Sequence, residues 1–410
     1  MAAESAPPAA NSPAHWKRPD LRRVAVAIAG FAAFVNLYAP QAVLPLMSQE
    51  FAVGAVQIST ALTASTLAVA LTAPFCGAAA DVLGRRRVIT VAMFALILPT
   101  VMIGLASDLP SLIAWRFVQG LVLPPIFVVT VAYIGEEWPA GQVVGITGTY
   151  LSATSFGGFF GRFITGVLAD LADWHRAFLA LAALTAALAI AVALLLPRER
   201  GFVRSAGLGA ALKQMLSHLR NPRLVATYAI GFGVLFTFMS IFTYVSFYLA
   251  APPFNLSPTL LGTLFVVYLA GVAVTPLTGR LVTRFGRRPL AVGVIAIWIA
   301  GLMLSLVPAI SLIVLSLIIC AGAGFLCQAL ATSFITVTAR TGASSAVGVY
   351  VSCYYVGGSV GGVVPGLAWN AAGWPGCVAL TALVLVAMAA IVWAAWGDAS
   401  AAPNRSNKHR

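Results

Sequence analysis

The sequence predicts an all-α integral membrane protein, with twelve transmembrane helices arranged as two six-helix, pseudo-symmetric halves. The first observation behind this prediction is composition: of 410 residues, 60% are apolar and 9% are charged. Soluble domains carry about 25% charged residues, so this chain cannot build a surface that faces water on all sides. A soluble enzyme, a disulfide scaffold and a disordered chain are therefore excluded.

The second observation is a series of apolar runs, each about as long as the roughly 20 residues that a helix needs to cross a bilayer. In the N-terminal half, residues 21–196, the runs lie at 24–47, 57–80, 88–106, 110–134, 141–168 and 174–196. In the C-terminal half, residues 224–397, they lie at 224–250, 257–279, 290–307, 310–337, 342–368 and 374–397. We number these runs spans 1 to 12 and call the two parts the N-half and the C-half.

Three segments lie outside the spans: a disordered tail at 1–20, a cytoplasmic linker at 197–223 and a second tail at 398–410. The linker carries apolar residues at helical spacing, namely Leu208, Leu212, Met215, Leu216 and Leu219. This pattern predicts an amphipathic helix at the membrane surface, although a simple tether between the halves fits the linker equally well.

The basic residues predict the orientation. The 24 Lys and Arg exceed the 11 Asp and Glu, which gives a formal net charge of +13. With both termini placed inside, all of the basic residues except Arg116, Arg162 and Arg176 fall on the inner side. This asymmetry is the positive-inside pattern, so it predicts cytoplasmic termini and a lipid bilayer, not nucleic acid, as the partner.

The third observation is an internal repeat. Eight residues of the N-half recur 200 positions later with the same residue type: Gly148, Tyr150, Ser152, Gly157, Gly158, Gly161, Gly166 and Trp174. Two similar six-span units in the same orientation are typical of transporters whose halves rock about a site at the middle of the membrane.

The loop between spans 2 and 3 carries the most specific motif. Gly77, Asp81, Gly84, Arg85 and Arg86 stand in the register of the signature loop of the major facilitator superfamily, and the sequence resembles that family over nearly its whole length. The resemblance implies that the loop is a conformational gate that stabilises one end-state, with Asp81 accepting from a facing helix N-terminus. A role in orientation alone is the alternative for the arginines.

Span 4 contains an arginine within an apolar run. Arg116 and Gln119 are similar to the RxxQG motif that the family links to proton coupling in drug/proton antiporters. An arginine there costs about 2.5–3.5 kcal/mol on insertion scales, so it needs a polar partner or water. Gln119 lies on nearly the same helix face. The alternative is an arginine that extends to the membrane surface.

Span 5 resembles the antiporter signature of the family, with two departures, Arg162 and the pair Thr165 and Gly166 in place of the final two glycines. Gly148, Gly157 and Gly161 have the required spacing and predict close helix packing, as do the repeat positions Gly357 and Gly361. Arg162 stands where the signature has proline. We expect Arg162 to be a second functional residue, or else a structural one that extends to the membrane surface or forms a salt bridge.

Family architecture places spans 1, 4, 7 and 10 around the central pathway. In addition to Arg116, Gln119 and Arg162, the candidates for substrate or coupling contacts are polar residues of these spans: Asn36, Tyr38, Gln41, Tyr244 and Gln328. For a single tyrosine, packing in the core is about as plausible as substrate contact. No Asp or Glu lies inside a span, which favours neutral or anionic substrates over multivalent cations.

These patterns predict a secondary transporter of a small organic molecule that works by alternating access, and the resemblance implies proton-coupled efflux. The segment from Phe34 to Pro45 resembles YnfM-type bacterial inner-membrane transporters, which implies that location. The alternative is a facilitator or importer of a sugar-like or anionic solute. A membrane enzyme would need a catalytic cluster and a channel a continuous pore-lining motif, and neither is evident in the sequence. Because no P-loop is present, ATP is not the driving force. We expect a monomer, with no metal, no cofactor and no enzymatic activity.

Overall fold

The computed structural model describes residues 20–199, 215–339 and 343–397, and every regular element in these ranges is helical. In the N-half, span 1 comprises three elements, Leu21–Tyr38, Ala39–Ala42 and Leu44–Glu50. Spans 2 to 6 then follow as Ala55–Leu83, Arg85–Ala95 with Ile97–Gly104, Leu109–Glu137, Ala140–Leu171 and Trp174–Leu195.

The C-half repeats this pattern with different interruptions. Span 7 is Pro222–Ala250, and span 8 runs from Pro258 to Phe285 in five short helical pieces, Pro258–Leu264, Phe265–Val267, Tyr268–Val274, Thr275–Leu277 and Thr278–Phe285. Spans 9 and 10 are Arg287–Leu304 and Ile310–Thr338. Spans 11 and 12 form Ala343–Ala395, which bends at Ala372 and Gly373 because neither residue has helical backbone angles.

The predicted all-helical membrane architecture is confirmed. Ten helices in the described ranges are long and apolar enough to cross a membrane, and one of them, Ser345–Ala395, contains two predicted spans. Ala140–Leu171 lies outside these ten but extends over 32 residues. The predicted tails and most of the linker, including Leu208 and Leu212, lie outside the described residues.

Two glycines at repeat-related positions form the turns that separate neighbouring spans. Gly84 has φ 89° between spans 2 and 3, and Gly286 has φ 77° between spans 8 and 9. Left-handed backbone of this kind favours glycine, because a β-carbon would clash with the chain. The repeat found in the sequence is therefore also a repeat of backbone geometry.

Each half is held together by close packing of its first span against its fifth. A β-carbon on Gly157 or Gly161 would overlap the carbonyl groups of Phe31 and Val35 in span 1. In the C-half, Gly357 and Gly361 lie equally close to carbonyl groups of span 7. These four glycines therefore have the packing role that their spacing predicts.

The two halves meet near one end of the bundle, which we call the acidic end because Glu50, Asp108, Asp170 and Asp173 lie there. Thr63 of span 2 donates to the carbonyl oxygen of Ser359 in span 11 (2.9 Å), and a β-carbon on Gly166 of span 5 would overlap the carbonyl group of Pro258 in span 8. Spans 2 and 5 of the N-half thus close against spans 11 and 8 of the C-half.

The opposite, basic end carries the arginine-rich loops after spans 2 and 8. Among the described residues, nothing lies within 4 Å of a β-carbon built on Gly141, Gly145 or Gly148 of span 5. Val144 in the same segment is 80% exposed, and Thr278–Phe285 of span 8 has no buried residue. The halves therefore diverge towards the basic end.

Candidate functional site

Arg116 lies inside the N-half, completely buried, and all five of its N–H donors have an acceptor. The guanidinium donates to three main-chain carbonyl oxygens and two side chains: Ala61 (3.3 Å), Asn36 (3.2 Å), Leu37 (2.7 Å), the hydroxyl of Ser65 (2.7 Å) and the amide oxygen of Gln119. A buried charge without a carboxylate is tolerated when its donors are satisfied in this way. Arg116 therefore connects spans 1, 2 and 4.

The break in span 1 explains why Arg116 finds carbonyl groups there. Pro40 has no N–H, so the carbonyl of Asn36, four residues earlier, cannot receive the usual helical hydrogen bond. Arg116 supplies the missing donor. Gly120, one turn further, allows span 4 to approach span 2 closely, because a β-carbon there would overlap the carbonyl of Ser65.

The side chain of Asn36 extends this buried network to spans 3 and 6. Its amide nitrogen donates to Thr185 (2.9 Å), and its oxygen accepts from Thr100 (2.9 Å) and, at 3.4 Å, from Gln119. Asn36, Arg116 and Gln119 are all completely buried. These three predicted site residues form one polar cluster inside the N-half.

Arg162 is also completely buried but lies between the halves. Its Nε and Nη2 donate to the amide oxygen of Gln41, with the Nε bond at 2.7 Å, and its Nη1 donates to the carbonyl of Gly158 at 2.6 Å. No carboxylate in the described part of the chain pairs with it. The alternative prediction, that Arg162 forms a salt bridge, is therefore wrong for the described residues.

Three aromatic rings surround the guanidinium. The carbon atom Cζ of Arg162 lies 4.4 Å from the ring centroid of Tyr38 in span 1, 4.3 Å from that of Phe265 and 5.0 Å from that of Tyr268. Phe265 and Tyr268 belong to span 8 of the other half. We call Tyr38, Phe265 and Tyr268 the aromatic cage; cation–π contacts of this kind are worth about 0.5–2 kcal/mol each.

Gln41 bridges the two halves next to the cage. Its oxygen accepts from Arg162, and its amide nitrogen donates to the hydroxyl of Thr243 in span 7 (3.1 Å). Tyr244, the next residue along span 7, is buried and donates to the carbonyl of Gly362 (2.9 Å) within the C-half. Gln41 therefore joins the halves, and the hydroxyl of Tyr244 joins spans 7 and 11.

Gln328 lies apart from these residues, on the C-half. It is half-buried, and Tyr354 of span 11 donates to its amide oxygen at 3.5 Å. The neighbouring Tyr355 approaches Phe127 of span 4, with ring centroids 6.0 Å apart, which is a further contact between the halves. The predicted site residues thus occupy three places: the N-half interior, the interface and the C-half.

The predicted gate loop is an ion-pair cluster at the basic end. Arg85 pairs with Asp81 (2.9 Å) and with Glu136 at the end of span 4. Arg86 donates to the carbonyl groups of Ala193 (3.0 Å) and Leu196 (2.5 Å) at the end of span 6. Asp81 thus accepts from Arg85 rather than from a facing helix N-terminus.

These hydrogen bonds of the loop all remain within the N-half, as far as the described residues extend. Among the described residues, nothing lies within 4 Å of a β-carbon built on Gly77 or on Gly148, so the close packing expected at Gly148 of span 5 is not found. Trp138, after span 4, and Arg22 donate to Asp20 near the start of span 1. The bond from Arg22 holds the pKa of the Asp20 carboxyl below its ordinary value.

Carboxylates at the acidic end hold helices in place. Asp170 at the end of span 5 accepts from the main-chain N–H of Thr259 (2.9 Å) near the N-terminus of span 8, so it bridges the halves. Glu50 accepts from the ring of His175 (2.8 Å) and from Trp174 within the N-half. Among the described residues there is no cluster of His, Cys, Asp and Glu that could hold a metal ion.

Sequence reasoning missed the span 8 side of the interface. Phe265 and Tyr268 resemble ordinary apolar residues of a span, and span 8 is not among those predicted to line the pathway. The one available signal was the departure at Arg162, since a charge in a span needs partners on its neighbours.

Comparison with known proteins identifies the family. The profile of the Major Facilitator Superfamily matches residues 26–361 and 249–410. The inner membrane transport protein YnfM of Escherichia coli is 30% identical over 371 residues, which cover 90% of this chain and 89% of that protein. The MFS-type transporter YybF of Bacillus subtilis is 28% identical, over 90% of this chain and 93% of its own length.

Solved structures show the same fold at low identity. The nucleoside transporter NupG, as a D323A mutant, has a TM-score of 0.78 and 15% identity, over 92% of this chain and all of that chain. A bacterial homologue of the human lysosomal transporter Spinster, in an inward-facing and unoccupied conformation, has a TM-score of 0.75 and 16% identity, over 92% of this chain and 97% of that one. The chain is thus a multi-pass membrane transporter that belongs to the major facilitator superfamily.

Proposed function

We propose that this transporter exports a small organic molecule across a bacterial inner membrane by alternating access, driven by protons. The location is supported by the inner-membrane relative YnfM and by basic residues concentrated at one end of the bundle. By the same charge rule, the basic end faces the cytoplasm and both termini are cytoplasmic. The tails at 1–20 and 398–410 and the linker at 197–223 then flank two halves at 21–196 and 224–397.

The observation that carries the proposal is the closure of the halves at one end and their divergence at the other. Asp170, Arg162 and Thr63 all contact the C-half at the acidic end, while at the basic end no described residue lies against the glycines of span 5 at 141, 145 and 148. This is the shape expected for an end-state whose central site opens to the cytoplasm. The Spinster homologue of similar fold is described as inward-facing.

A disulfide across the acidic end tests alternating access. We expect Asp170→Cys with Thr259→Cys, in a background whose five native cysteines are replaced, to lose transport on oxidation and regain it on reduction. The transported solute is taken from a thermal-shift screen of the purified protein. The control pair Asp108→Cys with Ser111→Cys lies at the same end but within the N-half. Full transport by the oxidised interfacial pair would contradict the proposal.

The gate loop has its own test. Because Asp81 pairs with Arg85, which also pairs with Glu136, Asp81→Asn removes one charge of a cluster at the basic end. We expect normal insertion and expression but a transport rate reduced at least ten-fold, measured in proteoliposomes. Asp108→Asn, at the acidic end, is the control. Transport at the wild-type rate by Asp81→Asn would remove the gating role.

Proton coupling is supported by the resemblance of Arg116, Gln119 and the span 5 glycines to antiporter motifs. In proteoliposomes, an imposed pH gradient should drive the solute against its concentration gradient and in the direction opposite to protons. A solute flux that does not change with the pH gradient would instead favour a facilitator. A flux in the same direction as the protons would favour an importer. A facilitator and an importer are both compatible with an anionic solute.

A further inference from the structure

The guanidinium of Arg162 is a buried charge whose hydrogen-bonding capacity is not filled. A guanidinium has five N–H donors, and those of Arg162 make three hydrogen bonds to described residues, two of them to the same oxygen of Gln41. Arg116, by contrast, makes five bonds to five different acceptors. Of the two completely buried arginines in the described residues, Arg162 therefore retains donors for a further acceptor.

The repeat shows that packing does not require an arginine here. The position of Arg162 in span 5 corresponds to Gly362 in span 11. There, Gly362 lies against Thr63 of span 2, so the same kind of contact between halves is made without any charge. A charge that is costly to bury, at a position where the repeat-related residue carries none, is a candidate for ligand recognition.

The groups around Arg162 divide between the two halves. Gln41, Gly158 and Tyr38 belong to the N-half and move with the arginine, whereas Phe265 and Tyr268 belong to span 8. Separation of the halves at the acidic end would withdraw the two span 8 rings and leave the guanidinium held only by its own half. The side of Arg162 that those rings now cover would then face the open pathway.

We propose that Arg162 binds the carboxylate of an organic monoanion with an apolar or aromatic body, an inference that rests on the proposed transport function. The carboxylate accepts from the unfilled N–H groups once span 8 withdraws, since the two planar groups match as a fork. Tyr38 remains beside it as a surface for the apolar body. The single charge of the ligand follows from the single available cation, because the donors of Arg116 are all used.

Binding of matched probes to the purified protein tests this assignment. Benzoate, 1-naphthoate and octanoate are monoanions with apolar bodies; benzamide is the neutral counterpart of benzoate, and benzylamine carries the opposite charge. We expect saturable binding of at least one monoanion by calorimetry at pH 7, and affinity at least ten-fold lower for benzamide and benzylamine. The absence of saturable binding by all three monoanions overturns the proposal.

Two variants with opposite expected effects keep the test independent of folding. Arg162→Gln should lower the affinity for the bound monoanion at least ten-fold. Phe265→Leu should raise it a few-fold, because the ring competes with the anion for the guanidinium. Arg176→Gln, a 75% exposed arginine paired with Asp173, is the control and should bind as the wild type does. Unchanged affinity in both Arg162→Gln and Phe265→Leu contradicts the proposal.

Failure of this inference is distinguishable from failure of the transport function. If neutral or cationic solutes cross proteoliposome membranes at the same rate in wild type and Arg162→Gln, the anion site is wrong while transport stands. If no solute crosses proteoliposome membranes with the wild-type protein, the transport function itself is wrong, whatever calorimetry shows for the monoanions.

Discussion

Two arginines are completely buried in the described part of this transporter, and they differ in whether their partners lie in one half or in both. Arg116 has every donor filled by groups of its own half, including carbonyls freed by the break in span 1. Arg162 has three bonds and three aromatic rings, two of which belong to the other half. A charge within one rigid half fixes that half, whereas a charge between two halves responds to their movement.

The largest expected effect is the loss of stability in Arg116→Gln. The shorter side chain leaves the carbonyl groups of Asn36, Leu37 and Ala61 without their donor, and each unpaired buried group costs about 1–3 kcal/mol. We expect a loss of about 3 kcal/mol or more, seen as low expression and a lower melting temperature of the purified protein. Arg176→Gln is the control, and a melting temperature like that of wild type would show that Arg116 does not stabilise the N-half.

A much smaller stability change is expected for Arg162→Gln. The variant loses cation–π contacts of about 0.5–2 kcal/mol each, but it also removes the cost of burying a charge that has no carboxylate partner. We expect the melting temperature to remain close to that of wild type while binding and conformation change. A loss of stability as large as that of Arg116→Gln would abolish the distinction between the two arginines.

The smallest expected effect concerns Asp170. This residue lies at the exposed end of span 5 and accepts a hydrogen bond from the N-terminal end of span 8. A carboxylate at a helix N-terminus is worth about 0.3–1 kcal/mol, so Asp170→Asn should shift the ratio of closed to open acidic ends about two- to five-fold towards open. Labelling of an engineered cysteine near the interface measures that ratio. Asp173→Asn removes an equal charge that caps span 6 within the N-half, and it should leave the ratio unchanged.

The sequence was sufficient to predict the helices, the repeat and the position of both arginines within spans. Apolar runs of span length have few alternative structures in a bilayer, and Gly84 and Gly286 could be recognised as turns because their flanking motifs recur. The spacing of the span 5 glycines predicted close packing, which Gly157 and Gly161 have and Gly148 lacks among the described residues.

The direction in which each arginine points could not be predicted. A span that is apolar on all sides carries no hydrophobic face to orient it, so the sequence does not show whether a residue faces its own half, the other half or lipid. For this reason Asn36, Arg116 and Gln119 were expected along the pathway together with Gln41 and Arg162, although the structure places them inside the N-half. The cage residues Phe265 and Tyr268 were missed for the same reason.

The most direct test of the role of Arg162 is the distance between the halves at the acidic end, compared between wild type and Arg162→Gln. Spin labels at Leu171 and Leu260, both exposed, report across the halves, and labels at Leu171 and Leu105 report within the N-half. In Arg162→Gln, we predict a longer and broader distance distribution for the first pair and an unchanged one for the second. Identical distributions for the first pair in wild type and Arg162→Gln would contradict the claim that this arginine and its aromatic cage hold the acidic end closed.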